Sequence, residues 1–203
     1  MARPVTTSRL HDDDSSSASR ADEALLDAAQ RGDERAFAAL VHRYYARALR
    51  FALNMGLPRE DAEEVVQDSF VRVHRALPRF RAGAAFQPWL FRILANRCRS
   101  AHARARWWRR HDADEDAMNV LPAPGEGADD ALRRLDAERL HGAMRRALDA
   151  LPVEQREAFL LRHVEELDYH EMTRITGAGL SALKMRVKRA CDTLRTRLQE
   201  TPE

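Results

Sequence analysis

From Asp22 onward, apolar residues recur at three- and four-residue steps (Leu25, Leu26, Ala29, Phe37, Leu40, Val41, Tyr44 and Tyr45), the period of helices that bury one face. Gly32 and Asp33 divide this run into two helices. In the stretch NMGLPRED, Gly56 and Pro58 end the second helix, and Glu60, Asp61, Glu63 and Glu64 fall in the first turns of a third, where the helix dipole favours acids. The third helix is predicted to reach about Leu77, where Pro78 stops it. A loop, 79–87, then leads into a helix that Pro88 opens from a first-turn position and that continues through WLFRILANRCRSAHARARWW.

Beyond that helix the period disappears. Residues 111–130 contain Pro122, Pro124, Gly125 and Gly127 and read as a linker. A second helical block occupies 131–200. Leu151-Pro152 starts a helix through Val164, and Asp168 is placed to cap the helix Tyr169–Thr176, with Glu171 three residues on in a capping-box position. Gly177 permits the sharp reversal of a helix-turn-helix. In the final helix, which begins near Ser181, Leu183, Val187, Ala190, Leu194 and Leu198 form one apolar stripe. Residues 1–20, rich in Ser and Asp, read as a disordered tail. No strand pattern appears, so the predicted fold is all-α: two small helical domains, 21–110 and 131–200, joined by a flexible linker.

Charge sharpens this division. One third of the 203 residues (33%) are charged, yet the net is only +2, because the signs are segregated along the chain. Arg79, Arg81, Arg92, Arg97, Arg99, Arg104, Arg106, Arg109 and Arg110 fall in a stretch without Asp or Glu, interleaved with Phe80, Phe86, Trp89, Phe91, Trp107 and Trp108. Such a run is either a solvated face or a phosphate-facing surface whose rings stack on unpaired bases. The linker reverses the sign with Asp112, Asp114, Glu115, Asp116, Glu126, Asp129 and Asp130. Outside its stripe, the last helix carries Lys184, Arg186, Lys188, Arg189, Arg195 and Arg197, which suits either an ordinary basic face or a helix laid in the major groove.

Other chemistries are poorly served. Cys98 and Cys191 lie far apart with no Cys-x-x-Cys pair and no secretory leader, which fits a reducing cytoplasm. No apolar run approaches the roughly 20 residues of a membrane span, so no membrane insertion is expected. His163, His170 and Glu171 lack the spacing of a zinc helix, and neither a phosphate loop nor a nucleophile elbow is present. No catalytic residue, metal or cofactor is expected.

The second block reads Leu151-Pro152, Arg156, Phe159, Leu161-Arg162, Tyr169, Glu171, Gly177, Leu183-Lys184, Arg186, Arg189-Ala190. This resembles region 4 of the extracytoplasmic-function sigma factors, the sigma-70-family promoter subunits of bacterial RNA polymerase. In the first block, DAEEVVQDSFVRVHRALPRF resembles region 2.2 and FQPWLFRILANRCRSAHAR resembles regions 2.3 and 2.4, so the likeness runs from about Glu23 to Leu198.

The resemblance implies a set of roles. Asp61, Glu64, Gln67 and Asp68 would bind the beta-prime clamp helices of core polymerase, with the beta flap as a further contact. Arg79, Phe80, Arg81, Phe86, Asn96 and Arg97 would engage the minus-10 element, the loop Phe80 to Phe86 forming the pocket for a flipped base. Trp89 also suits the core, since Leu90, Ile93 and Leu94 surround it at helical spacing. Arg162, Ser181, Lys184, Met185, Lys188 and Arg189 would meet minus-35 DNA, and an anti-sigma factor is an expected partner. The linker would thread toward the polymerase cleft, although a plain solvated tether explains its charge equally well.

Several positions depart from the family pattern. Asn96 is followed four residues on by Ser100 where an Asp is common, Asp168 replaces a Ser, and Met172-Thr173 and Ala182-Leu183 replace Ile-Ala and Thr-Val. A stand-alone repressor built on the same helix-turn-helix would normally dimerise, yet no heptad run is present and such a protein has no need of the VVQDSF helix.

Overall fold

The computed structural model describes residues 21–81, 83–111 and 142–199, with side chains described as far as Trp107 in the long basic helix. The expected tail at 1–20 and nearly all of the linker lie outside these residues. In the first domain α1 (21–30) leads to α2 (Glu34–Asn54), α3 (Arg59–Ala76), a 3-10 turn (Leu77–Arg79) and α4 (Phe86–His111). The second domain comprises α5 (142–149), α6 (Val153–Phe159), a π turn (Leu160–Val164), α7 (Tyr169–Thr176) and α8 (Leu180–Gln199). No strand occurs among the described residues.

Each boundary has a local cause. Asp33 caps α2, its carboxylate accepting from Arg35 N at 2.9 Å and Ala36 N at 3.2 Å. Pro58 precedes α3, with Glu60 and Asp61 in the first turn as the dipole prefers. Pro78 does not simply stop α3. Its missing N–H is harmless at the start of a 3-10 turn, so the chain tightens there and Phe80 N donates to Leu77 O at 3.0 Å. Gln30 of α1 then ties down the loop entry, donating to Leu77 O at 3.0 Å and Phe80 O at 2.8 Å. α4 begins at Phe86, which shortens the expected loop at its carboxy-terminal end while leaving Pro88 in the first turn.

In the first domain Leu40, Phe51, Val66, Leu90, Phe91 and Leu94 are buried, and Phe51 meets Phe91 edge-on with centroids 5.2 Å apart. In the second, the expected stripe of α8 is buried at Leu183, Val187, Ala190 and Leu194 against Leu160, Leu161 and Met172. The helix expected to reach Val164 is α-helical only to Phe159. It then widens into a π turn closed by Glu165 N donating to Leu160 O at 2.9 Å.

The capping box forms as expected: Glu171 N donates to Asp168 Oδ1 at 2.8 Å and Asp168 N to Glu171 Oε2 at 2.9 Å. Gly177 ends α7 in the left-handed region at φ 73°. Replacing Asp168 by alanine removes one arm of the box and should lower stability by about 1 kcal/mol, measurable as a reduced urea midpoint at unchanged slope.

The two domains lie against each other, chiefly through α4 and α7. Arg156 reaches from α6 to the end of α2, donating to Met55 O at 2.6 Å and also to Asp149 O at 2.8 Å. Arg47 of α2 pairs with Glu165 at 2.5 Å, Gln87 of α4 donates to Glu165 O at 2.7 Å, and Arg99 of α4 pairs with Glu157. Their sequence separation gave no hint of these contacts.

Candidate nucleic-acid interface

The second domain presents a cationic face on a fixed support. Because α8 buries Leu183, Val187 and Ala190, the intervening Ser181, Lys184, Met185, Lys188 and Arg189 are exposed on its other side. Met185 is 48% exposed, too open for a core residue. Arg162 and Lys184 converge on the ring of Tyr169, at 5.3 and 5.8 Å from its centroid. Arg162 also donates to Leu167 O at 3.0 Å. Tyr169 therefore organises two of the expected DNA contacts, a role that its place in the motif did not reveal.

The first domain presents a cleft of about 480 Å³. Arg79, Phe80, Arg81, Pro88, Trp89 and Arg92 line one side, and Glu171, Arg174 and Ile175 of α7 line the other. The rings of Phe80 and Trp89 stand 4.4 Å apart and form an aromatic wall among the guanidinium groups. Trp89 is half-buried and serves both expectations, packing on the core and facing the cleft. Phe86 requires a correction. It is 2% exposed, held edge-on to Tyr44 at 5.0 Å and Trp89 at 6.0 Å, so it braces the wall from behind and does not present its ring to a base.

Asn96 and Arg97 occupy the next turns of α4. Asn96 is exposed and accepts from Arg99, while Arg97 lies 2.5 Å from Asp68 of α3. Residues assigned to two different partners are thus joined, since Asp68 also accepts from Arg72 at 2.9 Å. Burial tends to raise the Asp68 carboxyl, but Arg72 and Arg97 outweigh it and hold the group below its usual range. Glu64 and Gln67 are exposed and Asp61 partly so, and Val71, 46% exposed, extends their face with an apolar residue that the acidic pattern did not flag.

The basic run is not uniformly a phosphate surface, because Arg99 turns inward to Glu157. Glu157 falls on the apolar face that Val153, Leu160 and Leu161 define, and an acid at such a position was the available signal for a buried contact. Burial pushes its carboxyl up to about 7, against the pull of Arg99 and Arg186 and with the help of Glu154. Burial likewise pushes Glu165 up to about 7, against Arg47 and Arg50 and with the help of Glu166. A separate, smaller cleft of about 290 Å³ is lined by Glu165 together with Asp22, Tyr44, Arg47 and Glu171.

Both carboxyls therefore gain proton affinity on being buried in the folded chain. Their contribution to stability is full below the ordinary value of 4.5 and is lost as pH rises through about 7. The urea midpoint should accordingly be higher at about pH 6 than at about pH 8, the window those values define.

A helix-turn-helix with an exposed cationic helix, beside a domain bearing an arginine-aromatic cleft, defines a two-domain DNA-reading protein. Residues 40–109 match the model of sigma-70 region 2, and residues 141–194 match that of sigma-70 region 4. The chain is 30% identical over 182 residues to the ECF RNA polymerase sigma-E factor of Salmonella typhimurium, with 88% of this chain and 94% of the relative covered. It is 29% identical, with the same coverage, to the RNA polymerase sigma-H factor of Pseudomonas aeruginosa.

Among solved structures it resembles CnrH in complex with the cytosolic domain of CnrY, with TM-score 0.64 and 27% identity over 90% of this chain and 99% of that one. The sigma factor RpoE of Bartonella quintana, in complex with the anti-sigma factor NepR, matches with TM-score 0.64 and 25% identity over 82% and 98%. The chain belongs to the extracytoplasmic-function sigma factors of the sigma-70 family. It is a non-catalytic subunit that directs core RNA polymerase to promoters. No helix among the described residues is long and apolar enough to cross a membrane.

Proposed function

We propose that Ser181, Lys184, Met185, Lys188 and Arg189 lie in the major groove of the minus-35 element while Arg162 holds an adjacent phosphate. The observation that carries this is the division of α8 into a buried stripe and an exposed cationic face. Arg79, Phe80, Arg81 and Arg92, with Trp89, take the melted minus-10 strand, a base stacking on the Phe80–Trp89 wall while the guanidiniums neutralise phosphates. Asn96 and Arg97 continue that track along α4. Phe86 acts through its support of Trp89.

Asp61, Glu64 and Gln67, with Val71 beside them, dock on the beta-prime clamp helices, and Asp68 joins that face while positioning Arg97. The acidic linker threads toward the polymerase cleft. An anti-sigma factor is a partner, as in the solved complex of RpoE with NepR, and the protein acts in the cytoplasm, where polymerase works.

Footprinting of the holoenzyme, with permanganate to report unpaired thymines, tests this division of labour. Two separate protected segments are expected. Arg79→Ala with Arg81→Ala should abolish permanganate reactivity at the downstream segment and leave the upstream protection intact. Loss of the upstream protection in that variant would contradict the assignment.

A further inference from the structure

The exposed face of α8 has an apolar residue at its centre. At about 100° per residue, Met185 falls almost opposite the midline of the buried Leu183, Val187, Ala190 and Leu194. Lys188 and Arg189 flank it on the next turn, and Ser181 and Ala182 border it on the turn before, all four exposed. At 48%, Met185 is the most exposed large apolar side chain among the described residues. Lys184 is drawn aside toward α7, its Nζ 5.8 Å from the centroid of the Tyr169 ring.

The reading surface is bounded by Asp192, two turns beyond Met185 on the same line. Phosphates repel its carboxylate, which pairs with Arg195 at 3.5 Å. The part of α8 that enters a groove therefore runs from Ser181 to Arg189, the amino-terminal half from which a recognition helix reaches base edges.

A surface built only to neutralise phosphates has no use for a thioether at its centre. Methionine has no strong donor or acceptor, so it cannot read the polar edges of guanine, cytosine or adenine. The major groove offers one apolar group, the 5-methyl of thymine. An unbranched side chain with three rotatable bonds adapts its end to such a group. Ala182 stands where the family pattern has Thr, so no hydroxyl interrupts the apolar spot one turn from Met185.

We propose that Met185 is a specificity-determining residue that takes the 5-methyl group of a thymine in the minus-35 element, with Ala182 bordering the contact and Lys188 and Arg189 holding the polar groups to either side. This rests on the placement of the α8 face in the minus-35 groove. The chain then prefers a T·A pair at one fixed position of that element. It rejects cytosine there, which presents an amino donor and no methyl.

Replacing a thymine by deoxyuridine removes the methyl and keeps the base pair and its O4 acceptor. Promoter duplexes from start sites mapped by in vitro transcription are to carry deoxyuridine at each minus-35 thymine in turn, on either strand, and holoenzyme binding is read by competition mobility shift. At one thymine the replacement should weaken binding about fourfold, the worth of one buried methyl group. In Met185→Ala holoenzyme the same replacement should be nearly silent, while Met185→Leu should keep most of the difference. The cycle isolates the contact, since any effect of uracil on DNA stacking is common to all three proteins. Met185 is exposed, so both variants should keep the parent's urea midpoint.

Absence of any uracil-sensitive thymine in the minus-35 element, or equal sensitivity in Met185→Ala, would overturn methyl reading by this residue. Failure of the groove assignment itself has a different signature: Lys188→Ala would leave binding of the upstream element undiminished, whereas failure of methyl reading alone leaves the loss in Lys188→Ala intact.

Discussion

Lys184→Ala combined with Lys188→Ala should weaken binding of promoter duplex by holoenzyme about a hundredfold, the result of losing two charged contacts worth about 1–3 kcal/mol each. Both side chains sit on the exposed face of α8, one turn apart, over the buried Leu183 and Val187. Neither supports the core, so the helix content and unfolding midpoint should stay near those of the parent. The loss should also flatten the dependence of affinity on salt, since fewer counterions are released on binding. Electrophoretic mobility shift at two or more salt concentrations checks both effects. Lys184 also sits over the Tyr169 ring, but Arg162 keeps its own contact with that ring and its hydrogen bond to Leu167 O in the variant. Affinity for core polymerase, measured without DNA, should not change.

The reverse separation is expected from Glu64→Ala with Gln67→Ala. Both residues are exposed on α3, unlike Asp68, which is tied to Arg72 and Arg97, so truncation subtracts surface without disturbing the fold. Loss of core-polymerase affinity by about ten- to a hundredfold is expected if each contributes as a typical contact near the centre of an interface. Duplex binding by the isolated chain should persist. Asp68 is a poorer choice for this experiment, because its removal releases Arg97 and mixes an effect on the minus-10 track into one on polymerase docking. Fluorescence titration of labelled chain with core polymerase distinguishes the two. Equal loss of duplex and polymerase binding in either double variant would mean that these faces are not separate.

Much of this was legible from spacing. The capping box at Asp168, the left-handed turn at Gly177 and the α8 stripe are local devices, fixed by residues a few positions apart, and each forms as the sequence predicts. The partition into an all-helical pair of domains follows from the same periodicities. What escaped is non-local. Arg47 and Glu165 are 118 positions apart and Arg99 and Glu157 are 58 apart, so no periodicity connects them.

The charge run from Arg79 suggested one continuous surface, but a charge count cannot say that Arg99 turns to a buried acid and Arg97 to Asp68. Phe86 failed as a pocket residue for a related reason. An aromatic ring beside arginines satisfies the pattern of a stacking site whether it faces out or, as here, packs between Tyr44 and Trp89. The π turn at Leu160–Val164 had no sequence signal that we can identify.

In vitro transcription on genomic DNA, with purified core polymerase and start-site mapping, bears most directly on promoter selection by this chain. Addition of the parent chain should produce a set of start sites that core polymerase alone does not use, preceded by two shared sequence elements. Lys184→Ala with Lys188→Ala should lose most of that set. The same start sites from core polymerase alone, or an undiminished set from the double variant, would contradict promoter selection through these residues.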